Sequence, residues 1–145
     1  MSEINQAQLD LIDEFEFFDD WMDKYQYIID MGKKLPAFSD DWKTDLNKIN
    51  GCQSQVWIHH EFSDGKLKLH AISDAAIVSG LIALLLRIYN NREPNDILAT
   101  QPEFLVKLGL DKHLSPTRSN GLHAMLQRII GLANHYQKSA ASADT

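Results

Sequence analysis

One side chain in this sequence is a ready sulfur nucleophile. Cys52 lies in INGCQSQVW, residues 49–57, directly after an Asn-Gly pair that favours a tight turn. Residue type alone suggests a small, inert core side chain. The setting suggests a second role, because Gln53, Ser54 and Gln55 form no apolar stripe and a thiol at a bend projects to where a reagent reaches it. Backbone N–H groups left free by the turn stabilise a thiolate, the nucleophilic form of sulfur. With one cysteine in 145 residues, the chain closes no internal disulfide and builds no CxxC metal or redox site. Such a thiol can still accept a group from another protein and pass it on.

The remaining candidates for chemistry are six histidines, His59, His60, His70, His113, His123 and His135. His59 and His60 are adjacent on an expected strand and point to opposite faces. No pair has the i, i+4 helical spacing of a zinc site, so no metal is expected. Solvated surface positions account for most of the six, and none is marked as a base for Cys52. The net charge of −6 and the lack of a basic cluster argue against nucleic acid; Lys33-Lys34 reads as a solvated helix end. The acidic start MSEINQAQLDLIDEF has no apolar signal-peptide core. AAIVSGLIALLL, the most apolar run, has 12 residues, where a bilayer takes about 20. It reads as a buried core helix, and the expected setting is the cytoplasm, without membrane attachment.

These side chains need a scaffold, and hydrophobic spacing outlines it. Leu9, Leu11, Ile12 and Phe15 suggest a first amphipathic helix. A second runs from about Asp20 to Lys34 with Trp21, Tyr25, Ile28, Ile29 and Met31 toward the core, and Pro36 stops it. Residues 37–55 read as loop. VWIHHEF (56–62) and KLKLHAI (66–72) read as two strands joined by a Ser63-Asp64-Gly65 turn. Ser73 or Asp74 is placed to cap the apolar helix, which continues to about Asn90. Pro94-Asn95-Asp96 restarts the chain, Pro102 can occupy a first helical turn, and Phe104, Leu105 and Leu108 give a short helix ending at Gly109. A long helix closes the chain, with residues 1–5 and 139–145 as loose tails. The expectation is one α+β domain, 1–145, a small antiparallel sheet packed against several helices.

GCQSQVW (51–57), SDAAIVSGLIALLL (73–86), HLSPTRSNGLHAML (113–126) and YQYIIDMGKKLP (25–36) together resemble SufE, the sulfur-acceptor partner of a cysteine desulfurase. The likeness spans about residues 20–135 in order. It implies a SufE/IscU-like fold. It also implies that Cys52 takes persulfide sulfur from a SufS-like, pyridoxal-phosphate-dependent desulfurase, stimulates that enzyme, and delivers sulfur to a SufBCD-type scaffold for iron–sulfur cluster assembly. The chain would be a covalent carrier rather than an enzyme, binding no cofactor itself; IscU-type scaffolds bring several metal ligands where this chain has one cysteine. The resemblance further implies loop and support roles for Gly51, Gln53, Ser54, Asp74 and Arg118. Asp74 would lie near the cysteine loop, and Arg118 would hold that loop or favour the thiolate. Ser119, Asn120 and Gly121 would shape a turn. His59 and His60 depart from the family pattern and carry no assigned role. A CsdE-like acceptor for a different desulfurase, a non-covalent adaptor with an incidental cysteine, and a homodimer remain open.

Overall fold

The structure, a computed structural model, describes residues 3–51 and 54–143, with side chains through residue 138. Among the described residues seven α-helices surround one two-stranded antiparallel sheet, an α+β architecture. The helices are α1 (Glu3–Phe15), α2 (Trp21–Gly32), α3 (Ala76–Tyr89), α4 (Pro94–Ala99), α5 (Phe104–Lys107), α6 (Leu110–His113) and α7 (Pro116–Ala143). The strands are β1 (Val56–Ser63) and β2 (Lys66–Ser73).

The hairpin follows from its turn. Ser63 pairs with Lys66, and the two residues between, Asp64 (φ 56°) and Gly65 (φ 76°), both take the left-handed conformation of the turn type that matches strand twist. This register turns Leu67, Leu69 and Ala71 of β2 and Val56 and Ile58 of β1 inward; all five are buried. They face α3, which is apolar nearly all round, with Leu81, Ile82, Leu84, Leu85 and Ile88 buried. Helix α2 crosses α3 at two glycines. A Cβ on Gly80 would stand 2.2 Å from the Ile28 carbonyl oxygen, and one on Gly32 would stand 2.5 Å from the Gly80 nitrogen, so the crossing requires the missing side chains. Glu14 of α1 fastens to the same pair: Arg87 of α3 donates to both its carboxylate oxygens, and the Tyr27 hydroxyl of α2 donates to Oε1 at 2.5 Å.

Several sequence expectations need correction. Leu9 is 42% exposed; the buried stripe of α1 is Ile4, Gln8, Leu11 and Phe15. Gln8 is satisfied there, donating to the Gln101 carbonyl and accepting from the Phe104 amide. Neither Ser73 nor Asp74 caps α3, whose N-cap is Ala75; Ser73 Oγ instead accepts from the Ala75 amide, and Asp74 faces Gln55. The loop 37–55 contains a 3₁₀ turn at Asp40–Trp42 and a bridge from Lys48 to Trp57, with Ile49 buried. Pro102 precedes α5 rather than joining its first turn, and Gly109 (φ 77°) leads into a further helical turn, α6. Residues 119–121 lie inside α7 rather than in a turn. Helical backbone takes in residues 3–5 and 139–143, where composition suggested loose tails; once a helix is docked, adding residues to its end needs no new nucleus.

Candidate functional site

Cys52 and Gln53 lie outside the described residues, so the site is built from what flanks them. On the N-terminal side, the Ile49 amide donates to the Val56 carbonyl at 2.9 Å and the Ile58 amide to the Asn47 carbonyl at 2.8 Å. These bonds lay residues 47–49 along the outer edge of β1. Asn47 is itself held, its Nδ2 donating to the Trp42 carbonyl at 2.8 Å. Trp42 stacks on His59 with ring centroids 4.1 Å apart. On the C-terminal side, Asp74 grips Gln55 twice: its Oδ1 accepts the Gln55 amide at 3.1 Å, and its own amide donates to the Gln55 carbonyl at 3.3 Å. The cysteine loop is therefore anchored on each side by described residues, at 47–49 and at Gln55. Gly51 (φ 93°) holds the left-handed backbone that glycine favours, and its Cα points a would-be Cβ to within 3.5 Å of the Ala124 methyl on α7.

Beside this loop a cleft of about 460 Å³ opens between the starts of α3 and α7. Its floor is apolar, formed by Ile77, Val78 and Leu81 of α3 and Leu122 and Met125 of α7. Its rim is polar, with Ser54 from the loop and Ser115, Thr117 and Arg118 from the start of α7. Pro116 opens α7 and fits the first position, which has no intrahelical acceptor to lose. Ser115 Oγ accepts the Arg118 amide at 3.3 Å. The exposed Arg118 guanidinium lies 5.7 Å from the centre of the Tyr25 ring, a contact between cation and ring face. The structure thus brings Ser54 and Arg118 to one cleft, and sets Asp74 on the adjoining stem rather than in the cleft.

The cleft floor and the Tyr25 contact were missed from sequence. A signal for part of the floor exists: Arg118, Gly121, Leu122 and Met125 recur at i, i+3, i+4 and i+7, one face of a helix. The expectation of solvated histidines holds for His113, His123 and His135, which are exposed, while His59, His60 and His70 are half-buried. His59 packs on Trp42, His113 stacks on Trp21 at 4.7 Å, and His60 Nδ1 lies 2.7 Å from the Tyr136 hydroxyl. Burial, followed by the charges of His59, Arg128 and His135, holds the His60 imidazole below its usual range. Among the described residues no group of three or more His, Cys, Asp or Glu is placed to hold a metal ion, and no helix is long and apolar enough to cross a membrane.

Comparison with known proteins bears on this site. A family model described as the SufE, Fe-S metabolism associated domain, matches residues 9–133. The chain is 43% identical over 129 residues to an uncharacterised SufE-like protein of Rhizobium etli, spanning 85% of this chain and 87% of that one. A second uncharacterised SufE-like protein, of Rhizobium meliloti, is 40% identical over 124 residues, 82% of this chain and 89% of that one. The solution structure of a hypothetical protein from Thermus thermophilus superposes with a TM-score of 0.74, covering 91% of this chain and 96% of that one. Its sequence identity is 21%, so this last likeness speaks for the fold alone.

Proposed function

The chain belongs to the SufE family, a domain associated with Fe–S metabolism, and from that membership we propose that it is a covalent sulfur carrier working through Cys52. The Cys52 thiolate attacks the outer sulfur of a persulfide on a cysteine desulfurase. A sulfur–sulfur bond forms on Cys52, the desulfurase thiolate leaves, and no net oxidation or reduction occurs. The same exchange in the other direction of travel hands the sulfur to a SufBCD-type scaffold for cluster assembly. In this reading pyridoxal phosphate resides on the desulfurase, this chain binds no cofactor, and the exchange takes place in the cytoplasm.

The observation that supports the reading is the cleft beside the pinned loop. Ser54 lines it, and chain connectivity keeps Cys52 within about 7 Å of Ser54, Cα to Cα. A persulfide must avoid water and stray thiols between partners, and an apolar floor within reach of the loop serves that need. Arg118 on the rim supports the reading, since its positive charge would favour a thiolate or persulfide anion entering the cleft.

The test is intact-mass analysis after incubation with a pyridoxal-phosphate cysteine desulfurase and cysteine. A gain of about 32 Da per sulfur, localised to Cys52 and abolished in Cys52→Ser, is expected. If Cys52→Ser still stimulates sulfide release and supports sulfur delivery, the protein is a non-covalent adaptor and the carrier reading is wrong.

A further inference from the structure

A second groove, of about 350 Å³, shares no lining residue with the first. It lies between Lys34–Ala37, the outer edge of β2 at Leu69–Ala71, and Leu86 and Arg87 of α3. That outer edge is only partly paired. The Leu67 amide donates to the Arg92 carbonyl at 2.8 Å and its carbonyl accepts from the Asn91 amide at 2.9 Å; the Leu69 amide donates to Asn90 Oδ1 at 2.7 Å. Outward-facing residues alternate along an antiparallel strand, so the next is Ala71. Among the described residues no partner takes its N–H or C=O. Ala71 is 4% exposed, so the groove is the approach to these two groups.

Charge narrows what can occupy the groove. Its ionisable groups are Lys34, His70 and Arg87, all basic, in a chain of net charge −6. Arg87 is engaged by Glu14, whereas exposed Lys34 forms no ion pair among the described residues. Met31, Leu35, Ala83 and Leu86 supply an apolar floor.

We propose that this groove docks an extended, acidic segment of a partner protein, which adds to the edge of β2 at Ala71. Strand addition takes affinity from main-chain hydrogen bonds and specificity from alternate side chains. Here apolar side chains settle on Leu35 and Leu86, and a carboxylate on the alternate face meets Lys34. A second copy of this chain is the poorer occupant, since symmetric pairing at Ala71 would bring two basic grooves together.

The test titrates isotope-labelled protein with a short acetylated, amidated peptide of alternating valine and glutamate, read by amide chemical shifts and hydrogen exchange. The expected result is a shift of the Ala71 amide and about tenfold slower exchange at saturation. Lys34→Glu, an exposed change, weakens binding about fivefold or more, and a valine–lysine peptide leaves Ala71 unmoved. The proposal is overturned if the glutamate peptide shifts only residues of the Ser54 cleft, or if the lysine peptide binds equally. It also fails if Lys34→Glu has no effect, or if the Ala71 amide is already protected by concentration-dependent self-association, which would give the edge to a second copy.

Discussion

Asp74 and Gln55 exchange two hydrogen bonds where the cysteine loop rejoins the sheet. The Asp74 carboxylate is exposed, so Asp74→Ala frees an amide that water can satisfy and lowers stability by only about 1 kcal/mol. Its effect on the loop is larger, because one of two stems is released. Asp74→Ala is expected to raise the rate of Cys52 alkylation by iodoacetamide about threefold or more. Equal rates in the two proteins would show that this stem does not govern access. From the sequence Asp74 reads as a helix cap, because an Asp before an apolar helix does that most often. Its actual partner lies 19 residues away across the hairpin, and only the register of β1 on β2 brings the two together.

At the scale of elements, the α2–α3 crossing and the Glu14 triad hold the helical layer together. Gly80→Ala drives a Cβ into the Ile28 backbone and is expected to destabilise by about 3 kcal/mol or more, read by denaturant unfolding. Gly131→Ala, in α7 with nothing within 4 Å of the new Cβ, is the contrasting case and should stabilise by roughly 0.5–1 kcal/mol. Opposite signs at two helical glycines would separate close packing from helix propensity. The triad predicts a pH dependence. The hydrogen bond from Arg87, followed by that from Tyr27, holds the Glu14 carboxyl below its ordinary value of 4.5 against the opposing effect of burial. A depressed carboxyl stabilises above its unfolded value and loses that contribution as pH falls through the folded one. Glu14→Gln should therefore be less stable than the parent at pH 7, by roughly 1 kcal/mol for a partly exposed pair. The difference should shrink below pH 4.5, and a gap that stayed constant with pH would rule out the ionic origin.

At the scale of the whole molecule, the cleft is assembled from three distant segments, the loop at Ser54, the start of α3 and the start of α7. Thr117 is exposed on its rim, so Thr117→Trp can fill the space without entering the core. The variant should keep its melting temperature within about 2 °C. Cys52 should still be loaded by a small-molecule sulfane donor, and the persulfide should be reduced by dithiothreitol about threefold faster for lack of shelter. An unchanged lifetime would show that the cleft does not protect the sulfur. The groove at β2 is distinct from this cleft: the two share no lining residue, and its exposed Lys34 forms no ion pair among the described residues.

Local physics made much of this legible in advance. The alternation Leu67, Leu69, Ala71 and the Asp64-Gly65 turn specify a hairpin by themselves, and the 12-residue, largely apolar run AAIVSGLIALLL reads as a buried helix once a membrane span is excluded by length. Asn50-Gly51 likewise marks a turn before Cys52, and four separated motifs in order marked the family. What neighbours in sequence do not determine is which face meets which. Leu9 and Leu11 are equally apolar, yet only Leu11 is buried, because the angle at which α1 lies on α3 decides it. The same holds for Asp74 on Gln55, Arg118 on Tyr25 and His59 on Trp42: each pairs residues far apart in the chain, and their contact exists only after the strands have paired and the segments around them have packed.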